Sequence, residues 1–159
     1  MQPKGHTILG ISPGTRHLGY AVLKDRELIE WRLKTFRGEW SKEKLQKMLR
    51  FIEHEICKYE PNVIALKIPH PKRSSPALNE LVKAIQHLAK IYQIEVMLFC
   101  IEDLVRLSKD GRQTKKGLID HLTSNYPSLL NECKKDTNNP KGKYEKVFEA
   151  VAAIMVPCS

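Results

Sequence analysis

The sequence predicts an α/β chain with a mixed five-stranded sheet and helices on both of its faces. Three observations carry this expectation. The chain opens with three short runs, apolar or alternating, separated by turn residues, which is the pattern of a β-meander. Two further apolar runs follow, each after a segment whose apolar residues fall at helical spacing. The rest of the chain is again helical in period.

Taken in order, Thr7 to Ile11 is a short apolar strand, Pro13-Gly14 a turn, and Gly19 to Leu23 a second strand. Asp25-Arg26 turns the chain into a third run, Glu27 to Phe36, where Leu28, Trp31 and Leu33 are mixed with charges. Beyond Gly38, Ser41 is placed to cap a helix whose apolar stripe is Leu45, Met48, Leu49, Ile52 and Ile56. Lys44 and Lys47 read as part of its outer face. Pro61-Asn62 ends that helix and releases the strand Val63 to Leu66. Ser75-Pro76 pairs a capping serine with proline at the first helical position, and the stripe from Leu78 to Tyr92 continues the helix. Ile94 to Cys100 reads as a strand, Ile101 to Leu107 as a short helix, and Thr114 to Asn125 as a further helix after a basic loop. Asn131 to Lys143 reads as a mobile loop before a last helix carrying Tyr144, Val147, Phe148, Val151, Ala152 and Met155.

At 159 residues there is room for one good core but not for two ordinary domains of about 100–150 residues, so a single domain over residues 1–159 is expected. A hydrophobic share of 42% with 28% charged residues is the balance of a folded chain and argues against disordered and membrane classes. No apolar run approaches the roughly 20 residues that a bilayer requires, and a cytoplasmic location with no membrane partner is expected. Cys57, Cys100, Cys133 and Cys158 are scattered and form no paired ligand set; reduced thiols are expected, with Cys100 a buried small hydrophobe. The formal charge of +9 is the more informative quantity, because it suits a polyanionic partner as well as a merely soluble surface. Its distribution favours the partner: basic clusters lie at Pro71-Lys72-Arg73, at Arg112 to Lys116 and from Lys134 to Lys146, in segments that read as loops or element ends.

Ile8-Leu9-Gly10-Ile11-Ser12-Pro13-Gly14-Thr15, followed by Gly19-Tyr20, resembles the opening of RuvC-type junction resolvases, a strand that runs into Asp-Pro-Gly-Thr and then Gly-Tyr. Here serine stands for the aspartate. Val63 to Lys67 sits where that family has an apolar strand ending in glutamate, and Ala77-Leu78 opens the next helix in a similar way. Gly111-Arg112-Gln113-Thr114-Lys115-Lys116 resembles the family's loop of glycine and lysine, and Glu149-Ala150-Val151-Ala152 its closing Asp-Ala-Leu-Ala. The matches are ordered along nearly the whole chain, and the resemblance implies a ribonuclease H-like fold.

It also implies a site. Enzymes of this type cleave phosphodiesters with divalent ions held by converging carboxylates, which activate water and offset charge on the scissile phosphate. The four ligand positions read Ser12, Lys67, Lys146 and Glu149 here, leaving one carboxylate. An ammonium group has no lone pair and repels a divalent cation, so no metal or other cofactor is expected; Mg2+ enters only if a rebuilt site cuts. Glu145, one helical turn before Glu149, is the candidate for a second carboxylate or else is solvated; Asp103 and Asp120 are more remote candidates. Lys67 is read either as an ion pair with Glu149 or as a phosphate contact. His70 stands where the resemblance implies an aromatic wedge, and Lys115 matches a basic residue used near the phosphates.

Three functions are compatible with these residues. The first is a binder of branched or double-stranded nucleic acid, with DNA the expected partner, that does not cut and contacts phosphates through Lys67, His70, Lys72, Arg73, Arg112, Lys115 and Lys116. The second is a metal-dependent junction endonuclease with a rebuilt carboxylate site. The third is a protein-interaction module on the same fold. The resemblance further implies a homodimer.

Overall fold

The computed structural model describes residues 5–108, 114–131 and 144–158. Arg112, Cys133, the stretch 132–143 read as a mobile loop, and the glycine-bearing part of the basic loop before Thr114 lie outside them.

Strands β1 (Thr7–Ser12), β2 (His17–Lys24) and β3 (Glu27–Thr35) form the antiparallel meander. The β2–β3 turn is closed by Asp25 and Arg26 with φ of 51° and 69°. Two positive angles are what a two-residue turn needs to match the twist of the strands it joins. Asp25 tolerates its angle while its carboxylate accepts from the His6 backbone N–H at 2.9 Å. Strands β4 (Val63–Lys67) and β5 (Glu95–Phe99) add in parallel beside β1, giving the order β3-β2-β1-β4-β5. The expected mixed sheet of five strands is the observed one.

Alternation along the strands sorts side chains onto two cores. Leu9, Ile11, Leu18, Tyr20, Ile64 and Leu66 pack against helices α1 (Lys42–Tyr59) and α2 (Pro76–Ile91). Ile8, Ala21, Leu23, Val63 and Ala65 face α3 (Ile101–Val105), α4 (Lys115–Asn125) and α5 (Glu145–Cys158). Each helix starts where its chemistry directs. Ser41 and Ser75 accept from the third backbone N–H beyond them at 3.1 Å, with Pro76 fitting the first turn of α2. Glu60, with φ 46°, ends α1 just before Pro61.

Helix α5 is buried almost all round, from Val147 to Ile154. It reaches the sheet because Gly10 and Gly19 carry no side chain. A Cβ at Gly10 would lie 2.2 Å from the Ala150 carbonyl, and one at Gly19 2.2 Å from that of Lys146.

Two expectations are corrected. Lys44 is not on the outer face of α1: it is 7% exposed, and its ammonium donates to the Gly38 carbonyl at 2.7 Å. Its aliphatic stem follows the apolar flank of the helix to a backbone acceptor, which residue type alone does not reveal. Cys100 is half-buried rather than buried; its Sγ donates to Asp103 at 3.1 Å at the start of α3. Among the described residues, no helix is long and apolar enough to cross a membrane.

Candidate functional site

Strand parity brings three of the aligned positions together. Ile8, Gly10 and Ser12 alternate onto the α5 face of β1, and Val63, Ala65 and Lys67 onto the same face of β4. Because the two strands are parallel and Ile11 pairs with Leu66, Ser12 and Lys67 follow side by side at the same end. Helix α5 presents Glu149 to both. The Ser12 hydroxyl donates to Glu149 Oε1 at 3.4 Å, and Lys67 Nζ lies 2.6 Å from Oε2. The ion pair read for Lys67 is observed.

The pair is well enclosed, with Glu149 6% and Lys67 18% exposed at the side chain. Burying an isolated carboxylate costs several kcal/mol, so Glu149 depends on that ammonium for compensation. The contact falls outside hydrogen-bond geometry, and Oε2 has no hydrogen-bond partner among the described residues. Its compensation is therefore charge.

Lys146 lies one helical turn before Glu149, and its ammonium meets the Pro13 carbonyl at 3.4 Å. The Pro13-Gly14 turn leaves space for it: a Cβ at Gly14 would sit 2.7 Å from Lys146 Cε. Burial holds the Lys146 pKa below the usual lysine value; Lys67 and Lys115 push the same way, against Glu149 and Glu145. Lys115 begins α4 and pairs with Glu145 at 3.3 Å. Glu145 is thus engaged by a lysine from another element.

These groups border a cleft of about 200 Å³ lined by Lys67, His70, Arg73, Lys115 and Lys146. His70 Nδ1 accepts from the Lys72 backbone N–H at 3.1 Å, capping the single 3-10 turn Pro71–Arg73, and Nε2 lies 4.0 Å from Glu102. Lys72 and Lys116 are exposed on the same two segments as Arg73 and Lys115 but do not line the cleft. The cleft has another feature that the sequence did not assign to a site, a wall formed partly by Leu78 and Ile101. The helical stripe marked Leu78 only as core, and nothing in sequence spacing marks a stripe residue that also meets a cleft.

The donor set does not fit the divalent ions that the fold's nucleases use. Glu149 is already paired, and a second lysine stands one turn away, where a cation would be repelled. Asp103 accepts from the Cys100 backbone N–H at 3.0 Å and pairs with Arg106 at 3.6 Å, while Asp120 is exposed on α4. Among the described residues, no three His, Cys, Asp or Glu side chains gather as a metal-binding group. Several cations converge over one paired carboxylate at the carboxyl ends of parallel strands, where open α/β sheets gather their ligands, and their charge suits an anion better than a cation.

Fold and topology define a ribonuclease H-like α/β fold that carries a cationic cleft. Its architecture is similar to that of Thermus thermophilus RuvC. One such structure, RuvC in complex with a Holliday junction substrate, matches with a TM-score of 0.71 and 16% identity over 92% of each chain. A second structure of Thermus thermophilus RuvC matches with a TM-score of 0.68 and 14% identity, over 96% of this chain and 95% of that one. No family model matches the sequence, and no curated protein matches it.

Proposed function

We propose that this chain binds nucleic acid, DNA in the first instance, through the cleft and the lysines beside it, and does not cut it by the metal mechanism of its structural neighbours. The observation that carries the reading is the Lys67–Glu149 pair, with Lys146 one turn away, which puts ammonium groups where the resemblance places a metal ion. A phosphate whose charge would be offset by Mg2+ can be met there by ammonium groups directly.

The start of α4 supports the same reading. Lys115 and Lys116 occupy its first turn, which carries no acidic residue, although a helix N-terminus disfavours cations by about 0.3–1 kcal/mol each. Local electrostatics is violated most readily where a ligand compensates for it. The RuvC structure solved with a Holliday junction makes branched DNA the first substrate to try. A two-fold dimer is part of the proposal, since it would match the symmetry of such a junction, and sedimentation with and without DNA tests it.

The experiment is a titration against junction, duplex and single-stranded DNA, with and without Mg2+. Binding is expected in both conditions and cleavage in neither. Lys72→Glu with Lys115→Glu should weaken binding at least tenfold more than Lys47→Glu with Arg50→Glu, a pair of exposed residues on α1. Equal losses would indicate a diffuse basic surface, and undetectable binding at low salt would leave a protein-interaction module as the better reading. Metal-dependent cleavage that disappears in Glu149→Ala would restore a nuclease.

A further inference from the structure

From the way its charges are paired, we infer that the cleft holds the terminal phosphate of a nucleic-acid strand, a phosphomonoester, with Lys146 as the innermost contact. The inference rests on the binding role proposed above and narrows it to a strand end. Three lysines converge on the cleft, and two are matched: Lys67 with Glu149, Lys115 with Glu145. Lys146 lies with them and meets only the Pro13 carbonyl among the described residues, a neutral acceptor at 3.4 Å. A half-buried ammonium that has no anion in contact is costly unless a ligand supplies one. Burial and the neighbouring lysines already depress its protonation, and an incoming anion would reverse that.

The charge balance selects the kind of phosphate. Of the four cations around the cleft, Lys67 and Lys115 are matched by Glu149 and Glu145, which leaves Arg73 and Lys146 as the two cations outside these pairs, while Glu102 stands at His70, 4.0 Å from Nε2. An internal phosphodiester carries one negative charge, whereas a phosphomonoester carries about −1.5 to −2 at neutral pH. The wall selects further. Beside its cations and His70 the cleft is bounded by Pro13, Pro69, Leu78 and Ile101, side chains without a donor. A continuous backbone has a phosphate on each side of the one in the cleft, and the four apolar side chains offer nothing to the second. A strand end needs contacts on one side only, where the exposed Lys72 or Lys116 can meet the next phosphate.

The test compares one oligonucleotide sequence with a 5′-phosphate, with a 3′-phosphate, with hydroxyls at both ends, and closed into a circle. Fluorescence anisotropy is read for wild type, Lys146→Gln and Lys146→Arg. One phosphorylated form is expected to bind about tenfold more tightly than the hydroxyl-ended form, the scale of one charge-assisted hydrogen bond; which form it is assigns the polarity of the strand. Lys146→Gln should remove that preference, weakening the preferred phosphorylated form by about tenfold more than the circle, while Lys146→Arg should keep most of the preference. Equal binding of all four wild-type ligands would overturn the strand-end inference and leave nucleic-acid binding standing. A preference that survives Lys146→Gln would overturn the assignment to this cleft. No binding to any of the four would overturn both readings.

Discussion

Glu149 is held in a position that its own chemistry disfavours: a buried carboxylate beneath a cleft lined by cations. Its interactions with Lys67 and Ser12 explain why it can remain there. Pairing lowers the charge that an incoming phosphate sees, so the same contact that stabilises the fold weakens the site. Glu149→Gln keeps the shape and removes the charge. Unfolding free energy should fall by about 1–3 kcal/mol, less than for a fully buried pair because Lys67 retains some access to solvent. Nucleic-acid affinity should rise several-fold, since Lys67 is released and a repelling group is gone. A denaturant titration and a binding isotherm on the same variant check both signs; weaker binding would mean that Glu149 serves chiefly to position Lys67. At this scale the sequence was legible where geometry is periodic. Ser12 and Lys67 share a face by strand parity, and Lys146 and Glu149 lie one turn apart on a helix. It was illegible where a long side chain chooses between neighbours. The pairing of Lys115 with Glu145 joins helices 30 residues apart in sequence, and the inward turn of Lys44 depends on a carbonyl at Gly38.

Among the elements, α5 matters most, because it carries both Lys146 and Glu149 and is seated against the sheet through glycine. At Gly19 the obstacle to a side chain is the helix backbone itself, the Lys146 carbonyl oxygen and carbon at 2.2 and 2.3 Å. A flexible side chain could move aside, but a helix backbone cannot do so alone. Gly19→Ala should therefore displace α5 and cost about 3 kcal/mol, the upper part of the usual overpacking range. It should also weaken nucleic-acid binding, although residue 19 is buried and touches no ligand. A thermal melt and a binding isotherm test this, and an unchanged melt would refute the close seating of α5. The glycines appear in the sequence as strand interruptions, which suggests close approach without naming the partner. The elements themselves were readable from alternation, helical stripes and capping serines. The orientation of α5 was less so, because a helix buried nearly all round has no polar face to fix its rotation.

For the whole molecule the quantity to explain is the excess of nine positive charges, since a soluble surface and a polyanion site predict different responses to salt. Four cleft cations, Lys67, Arg73, Lys115 and Lys146, give a definite expectation when they act on phosphates. Each phosphate contact releases close to one condensed counterion, so the logarithm of affinity should fall against log salt with a slope of about −3 to −4 on duplex DNA. If the charge acted only as a diffuse field, single substitutions anywhere on the surface would change the slope by similar small amounts. With a localised site, Lys115→Gln should reduce its magnitude by about 1, whereas Lys47→Gln, at an exposed position on α1, should leave it unchanged. Lys67→Gln is the more revealing variant, because it also leaves Glu149 without its counter-charge. Its slope should fall by about 1, as for Lys115→Gln, but its affinity should fall further, since the freed carboxylate then opposes the phosphate that Lys67 had attracted. Restoring affinity with Lys67→Gln combined with Glu149→Gln, while the slope stays reduced, would separate the two effects; a double variant as weak as Lys67→Gln alone would place the phosphate away from Glu149.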